Sequence, residues 1–403
     1  MNILVLTWEF PPRIIGGISR HVAELYPELV KLGHNIYLIT VQVGGVNDYE
    51  IVEGIAVHRV PVVGNADFFG WVANMNESMV KCATKLLSEQ SFDIIHAHDW
   101  LVSDAATSLH QQYQLPLVAT IHATEYGRYN GIHSDTQKYI SDKEVNLATE
   151  AQRVIVCTKY MQSEVGRALN CPATKVDVVY NGLSLERATR SQHMDFDRAV
   201  FRSQFAEPDE QIVYYVGRLT HEKGIFLLLN AAPTVVAATN GKVKFVIIGS
   251  GDAYSILLQR QAWDLGIYHQ VLFTGFMSDD DLSKFQTIAD CAVFPSLYEP
   301  FGIVALESFA AKVPVVVSDT GGMPEVVRDG VTGVVTKVND CDSLAEGILA
   351  VLQNPENGKK LVENAQLELR ERFDWPRLAK QTEVVYQNVL GQSQQMAIGS
   401  QSL

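Results

Sequence analysis

Residues 295–307 read Pro295-Ser296-Leu297-Tyr298-Glu299-Pro300-Phe301-Gly302-Ile303-Val304-Ala305-Leu306-Glu307, two carboxylates around a glycine. An apolar, strand-like run, Cys291–Phe294, leads into them. A helix opening at Gly302 points the amides of Gly302, Ile303 and Val304, with the positive end of its dipole, at whatever lies in front. That is an anion site, the usual seat of a phosphate. Glu307 falls one turn above Ile303 on the same face and can reach hydroxyls attached to that phosphate. Glu299, on the loop, can reach the group on the other side. A phosphate flanked by hydroxyl-bearing groups describes a nucleotide sugar. Each piece also has a plainer use: a Glu early in a helix complements the dipole by about 0.3–1 kcal/mol, and a Gly before a helix makes a turn.

Other stretches carry the same kind of chemistry. In Gly217-Arg218-Leu219-Thr220-His221-Glu222-Lys223-Gly224, Arg218 and Lys223 sit five apart on a loop that opens a helix. They can converge on one anion, each contact giving about 4 kcal/mol at ~4 Å and an effective dielectric near 20, before desolvation. Two cations on a departing diphosphate stabilise its developing charge, although an exposed basic pair reads the same way. Thr320-Gly321-Gly322 follows a strand, and its adjacent glycines let backbone N–H groups approach a ligand. Gly249-Ser250-Gly251 lacks the third glycine of a dinucleotide fingerprint. Near the start, Gly16-Gly17 opens a helix and offers free N–H groups. His96-Ala97-His98-Asp99-Trp100 ends one strand, with His96 and His98 on the same face; a metal there needs a third ligand from elsewhere. His122 ends the next strand, followed by Glu125 and Arg128. Asp-x-Asp pairs at Asp195–Asp197, Asp279–Asp281 and Asp340–Asp342 occur as chance gives in an acidic chain. No metal is expected.

Glu299, Phe301-Gly302 and Glu307 together resemble the signature of the retaining glycosyltransferases with the GT-B fold, of the family 4 type and similar to bacterial glycogen synthase-like enzymes. The resemblance spans about residues 1–390. It implies that Glu307 binds the ribose and that the amides of Gly302, Ile303 and Val304, with Gly16, Gly17, Arg218 and Lys223, bind the diphosphate. Thr320, Gly321 and Gly322 fall on the phosphate and sugar side of the donor. It makes Glu299 and His122 the residues facing the transferred sugar, and with Arg218 and Lys223 these form the expected catalytic set. The His98-Asp99-Trp100 run, like that of α-glucan synthases, is implied at the acceptor, joined by Glu125 and Arg128. Bacterial glycogen synthases carry a lysine where this chain has Ile15, a departure that points toward envelope or exopolysaccharide assembly.

The elements that must position these residues follow from periodicity. Short β-branched runs alternate with helical segments such as Ile18–Leu32 and Val72–Leu87, which predicts parallel sheets covered by helices on both faces. The first half offers strands near Ile3–Thr7, Asn35–Val41, Ile55–Val60, Phe92–His96, Leu117–His122, Val154–Cys157 and Lys175–Tyr180. The second offers Gln211–Val216, Val243–Ile248, Gln270–Phe273, Cys291–Phe294 and Pro314–Val317. With 403 residues, the chain suits two domains of roughly 180–200 residues. The expected fold is α/β, two Rossmann-like doubly wound domains facing a cleft: 1–185 for the acceptor, 205–373 for the nucleotide-sugar donor. Residues 182–210 are read as a linker. The resemblance sends a final helix, 375–390, back onto the first domain, and 391–403 reads as a disordered tail.

Composition removes other classes. At 47% hydrophobic and 19% charged the chain is a globular enzyme. A net charge of −14 opposes a nucleic-acid partner. Five scattered cysteines fit a reducing cytoplasm. No stretch approaches the ~20 apolar residues of a membrane span. The expectation is a hexosyltransferase, with a glucosyl donor favoured, acting in α-glucan or cell-envelope polysaccharide synthesis. It takes a UDP-, ADP- or GDP-hexose as co-substrate, needs no other cofactor, and acts on a saccharide or lipid-linked saccharide acceptor. A nucleotide-sugar epimerase of the same architecture and an idle nucleotide-sugar binding protein are the alternatives. A nicotinamide dehydrogenase is disfavoured because no Gly-x-Gly-x-x-Gly follows the first strand.

Overall fold

The computed structural model describes residues 1–64, 67–185 and 196–400. The chain divides into two units, Met1–Gly182 together with the chain from Trp375, and Leu183–Asp374.

The first unit is built on an eight-stranded sheet: β1 (Asn2–Leu6), β2 (Asn35–Val41), β3 (Tyr49–Val52), β4 (Ile55–Val60), β5 (Ile94–His98), β6 (Leu117–Ile121), β7 (Arg153–Val156) and β8 (Val176–Val178). Their order is β3-β4-β2-β1-β5-β6-β7-β8, and all neighbours run parallel except β3, which is antiparallel to β4. Every residue of β5 and β6 is buried, the histidines of β5 included, as in a sheet covered on both faces. Strand β3 escaped the sequence reading. It joins β4 through Glu53 (φ 49°) and Gly54 (φ 85°), a two-residue turn with both central residues left-handed, which Asn-Gly or Asp-Gly would have advertised and Glu-Gly does not.

The first helix, Gly17–Lys31, packs beside the last, Trp375–Ser400. Val22, Leu25 and Tyr26 share one core with Ile3, Val5, Trp375, Leu378, Tyr386 and Val389. Trp375 Nε1 donates to Glu24 Oε2 at 2.6 Å, and His34 Nε2 lies 3.1 Å from Glu383 Oε1. The last helix continues through Ser400, where a disordered tail was expected from 391. Gln, Met and Ala are good helix formers and extend an already anchored helix at little cost. Residues 401–403 lie outside the described residues.

The second unit carries β9 (Gln211–Val216), β10 (Val243–Ile248), β11 (Val271–Gly275), β12 (Cys291–Phe294), β13 (Val315–Ser318) and β14 (Val334–Thr336). The order is β11-β10-β9-β12-β13-β14, parallel throughout. The chain order reverses at β9, whose two neighbours, β10 and β12, leave on opposite sides; in open α/β sheets ligands bind beyond the carboxyl ends of the strands at such a switch point. Of the segment read as a linker, 186–195 lie outside the described residues. A short helix, Arg198–Arg202, follows, capped by Asp197, whose carboxylate accepts from the amides of Ala199 and Val200.

Candidate functional site

Four loops of the second unit meet at the carboxyl ends of β9, β10, β12 and β13, and glycines let them touch. A Cβ on Gly224 (φ 68°) would lie 1.9 Å from the carbonyl oxygen of Pro295, and one on Gly321 (φ 58°) 2.0 Å from that of Glu299. The Gly249 position stands as close, 1.9 Å, to the Gly217 carbonyl. The Gly249-Ser250-Gly251 run therefore serves loop-on-loop packing, with Leu219 N–H donating to the Ser250 carbonyl at 3.1 Å. Leu297 N–H donates to the Glu222 carbonyl at 2.8 Å.

This packing brings the expected donor residues together. Lys223 Nζ lies 2.7 Å from Glu299 Oε2, and both side chains are largely buried. Ser296 Oγ lies 3.4 Å from the same carboxylate oxygen. Gly302 (φ 101°) adjoins them: a Cβ there would stand 3.7 Å from Glu299 Cγ and 2.6 Å from Met323 Sδ. The helix Ile303–Ala310 begins at this point, with Ala305 N–H closing on the Gly302 carbonyl at 3.0 Å. The amides of Ile303 and Val304 belong to its first turn and have no partner within the helix, as an anion site requires. Glu307 is buried on that helix. Arg218 is exposed and reaches Glu222 at 3.5 Å. Burial, with Glu299 nearby, drives the Tyr215 phenol upward, and its hydroxyl donates to the Arg218 carbonyl at 2.9 Å.

Two expected ligand groups are instead used internally. Gly322 N–H donates to the Glu299 carbonyl at 2.8 Å, and the Thr320 hydroxyl donates to the Leu297 carbonyl at 2.9 Å. The Thr320-Gly321-Gly322 turn braces the Glu299 loop.

In the first unit the amide of Gly16, expected to be open to a ligand, donates to Glu9 Oε2 at 2.8 Å, alongside Ile15 N–H at 2.9 Å. Gly17 is the first residue of the helix. The carboxylate of Glu9 thus occupies the helix entrance that an outside anion was expected to fill.

At the ends of β5 and β6 the histidines form a buried network. Tyr386 Oη lies 2.6 Å from His96 Nδ1, Tyr26 Oη 3.0 Å from the same atom and 2.6 Å from His98 Nε2, and His98 Nδ1 is 3.1 Å from His122 Nε2. His96 Nε2 meets Thr120 Oγ1 at 2.7 Å. His21 stands edge-on to His98, His122 and Trp375, with Nδ1 2.8 Å from Asn181 Oδ1. Burial lowers all four imidazoles: His21 to about 4, His96 to about 3, His98 and His122 well below their ordinary value. They are uncharged at neutral pH. His98, expected at the acceptor, is fully buried with both ring nitrogens engaged; His122 is only partly covered.

Asp99 adopts φ 61°, uncommon for a residue other than glycine. That conformation turns its carboxylate back onto His122 N–H at 2.7 Å. Burial raises the Asp99 carboxyl to about 7. Trp100, half-buried, opens a short 3₁₀ turn and stands edge-on to Phe68. Glu125 and Arg128 share the helix Glu125–Tyr129, 4.0 Å apart, and Glu125 N–H donates to the Glu144 carboxylate at 2.9 Å. Burial pushes the Glu144 carboxyl up to about 8. Of this network, His21, Tyr26, Asn181 and Tyr386 were missed. His21 and Tyr26 lie within the first helix, and Asn181 and Tyr386 lie far off in sequence.

Among the described residues no helix is long and apolar enough to cross a membrane. Residues 197–368 match the family described as Glycosyl transferases group 1, and residues 15–187 match Glycosyltransferase Family 4. An uncharacterized glycosyltransferase of Methanocaldococcus jannaschii is 38% identical over 96% of this chain and 98% of its own. A glycogen synthase of Mycobacterium tuberculosis is 32% identical, covering 96% and 94%. In fold, the sucrose-phosphate synthase of Thermosynechococcus elongatus superimposes with a TM-score of 0.80 at 22% identity, covering 97% of this chain and 99% of that one. HepE of Anabaena, solved with UDP and glucose, gives 0.78 at 22% identity, covering 96% and 100%.

Proposed function

The chain belongs to the glycosyltransferases, and on that premise we propose that it transfers a hexosyl group, glucosyl in the first instance, from a nucleotide diphosphate sugar to a saccharide or lipid-linked saccharide, with retention of configuration. The observation that carries this reading is the Lys223–Glu299 pair, 2.7 Å apart, beside the glycine that opens the Ile303–Ala310 helix. A diphosphate in front of that helix meets two amides, the helix dipole and the Lys223 ammonium, while Glu299 faces the sugar. Arg218 supplies a second cation from an exposed position. As the glycosidic bond breaks, the bonding electrons pass to the leaving phosphate oxygen. That phosphate takes the proton of the acceptor hydroxyl, which attacks from the same face. His122 orients the sugar as a neutral imidazole.

The relative named glycogen synthase supports a glucosyl donor, as does the structural neighbour holding UDP and glucose. Ile15 at the first glycine-rich loop favours exopolysaccharide or envelope glycan over storage glucan as the product. Calorimetry with UDP-, ADP- and GDP-hexoses tests the reading, and one of the three is expected to bind far more tightly than the others. Lys223→Ala and Glu299→Ala are each expected to lower turnover by about 10²–10³-fold with an unchanged circular dichroism spectrum. Near-normal turnover in both variants would remove the mechanism.

A further inference from the structure

Three imidazoles of the first unit, each from a different element, turn toward one point. His21 comes from the first helix, His98 from the end of β5 and His122 from just beyond β6, and one ligand atom from each lies within 4.8 Å of the others. His21 Nδ1 faces Asn181 Oδ1, an atom that only accepts, so Nδ1 carries the hydrogen and Nε2 a lone pair. That Nε2 is buried without a hydrogen-bond partner, in a residue 5% exposed. His98 is held likewise, its Nε2 2.6 Å from the Tyr26 hydroxyl and its Nδ1 3.1 Å from His122 Nε2. An amide and a phenol thus hold the outer nitrogens of two rings, as outer groups do around metal-bound histidines.

We propose that His21 Nε2, His98 Nδ1 and His122 Nε2 form a three-histidine site for a divalent transition-metal ion, zinc(II) above all. An all-imidazole set selects zinc, nickel, copper or cobalt over magnesium or calcium, which take oxygen. Zinc–nitrogen bonds of about 2.0–2.1 Å place tetrahedral ligand atoms about 3.3 Å apart. The ligand atoms lie within 4.8 Å of one another, so they close by at most about 1.5 Å on binding. Three protein ligands leave the fourth tetrahedral position to a water or another small ligand. His96, which the sequence suggested as a partner of His98, lies outside the set, engaged by Tyr26, Tyr386 and Thr120. One consequence rests on the function proposed above: because His122 orients the sugar there, a bound ion withdraws it and inhibits transfer.

The test is a cobalt(II) titration of tag-free, EDTA-treated full-length protein. Visible absorption bands of tetrahedral cobalt are expected to saturate at one equivalent and to vanish on adding zinc(II). His21→Gln and His98→Gln should abolish the bands, Asn181→Ala should weaken binding about 10–100-fold, and His133→Ala, at an exposed site outside the cluster, should leave them intact. If His98→Gln does not fold, the Asn181→Ala titration decides. No bands at stoichiometric cobalt, or bands that persist in His21→Gln, overturn the site. Bands with zinc-insensitive transfer would leave the site standing and overturn the inhibitory consequence, and with it the role given to His122.

Discussion

At the carboxyl ends of β9 and β12 the second unit holds an ion pair, Lys223 with Glu299, on loops that glycines allow to lie backbone against backbone. At the ends of β5 and β6 the first unit holds four imidazoles and two phenols, all uncharged and nearly all buried. In the function proposed above, the first arrangement exchanges its internal partner for a charged ligand. The second, with its groups bonded to one another, keeps a ring in one orientation. Charge belongs where a charged group arrives and leaves; neutrality belongs where only position matters.

Acid should break this contrast most strongly. The four histidines have folded pKa values below their unfolded ones, so their contribution is present above about pH 6.5 and is lost as pH falls toward 4. Asp99 (about 7) and Glu144 (about 8) are raised, so theirs is present at low pH and is lost as pH rises through those values. Below pH 6.5 the unfolded chain takes up protons on four histidines that the folded chain keeps neutral, against two carboxylates that hold protons only when folded, so the histidines come to dominate as the pH drops. Stability of the first unit should therefore fall on acidification, by on the order of 1–3 kcal/mol per pH unit below about pH 5.5. Hydrogen exchange resolved by unit would show it, and equal acid sensitivity in both units would dissolve the contrast.

Gly321→Ala probes the other side. The added Cβ meets the Glu299 carbonyl at 2.0 Å in a left-handed backbone, so the loop must shift. A displacement of about 1 Å should lower turnover about 10²-fold, with the amides of the first unit exchanging as in the parent. Unchanged turnover would mean that the brace does not set the Glu299 position.

Two smaller effects sharpen the comparison. Tyr386→Phe deletes the hydroxyl 2.6 Å from His96 Nδ1 and should cost about 1–3 kcal/mol in a denaturant titration. Arg218→Ala removes an exposed side chain from a 3.5 Å ion pair and should change stability by less than about 0.5 kcal/mol while weakening nucleotide binding. The reverse order of stability losses would contradict the assignment of fixed and exchangeable parts.

How much of this was legible depends on sequence distance. The alternation of strand and helix is local, and it gave the two parallel sheets. The glycine-bearing loops are local too, so Arg218, Lys223, Glu299, Gly302 and Glu307 stand out as candidates within short segments, and the fold brings Lys223, Glu299 and Gly302 together. Gly16 and Gly322 illustrate the limit. A glycine shows that backbone comes close to something, but not whether that is a ligand or another loop of the same chain, and here the Glu9 carboxylate and the Glu299 carbonyl take those amides. The histidine network was half visible. His96, His98 and His122 end strands and announce themselves, but Tyr386 reaches His96 across 290 residues, and Asn181 and Trp375 reach His21 from still other parts of the chain, which no local pattern encodes.

The last helix has one consequence for how the molecule is made. Tyr386 and Val389 complete the core that Ile3 and Val5 begin, so the half that emerges first from the ribosome must wait, unsealed, while Leu183–Asp374 is synthesised between its pieces. A nascent chain stalled before Trp375 should expose that apolar face to chaperones, although the intervening unit is by then complete.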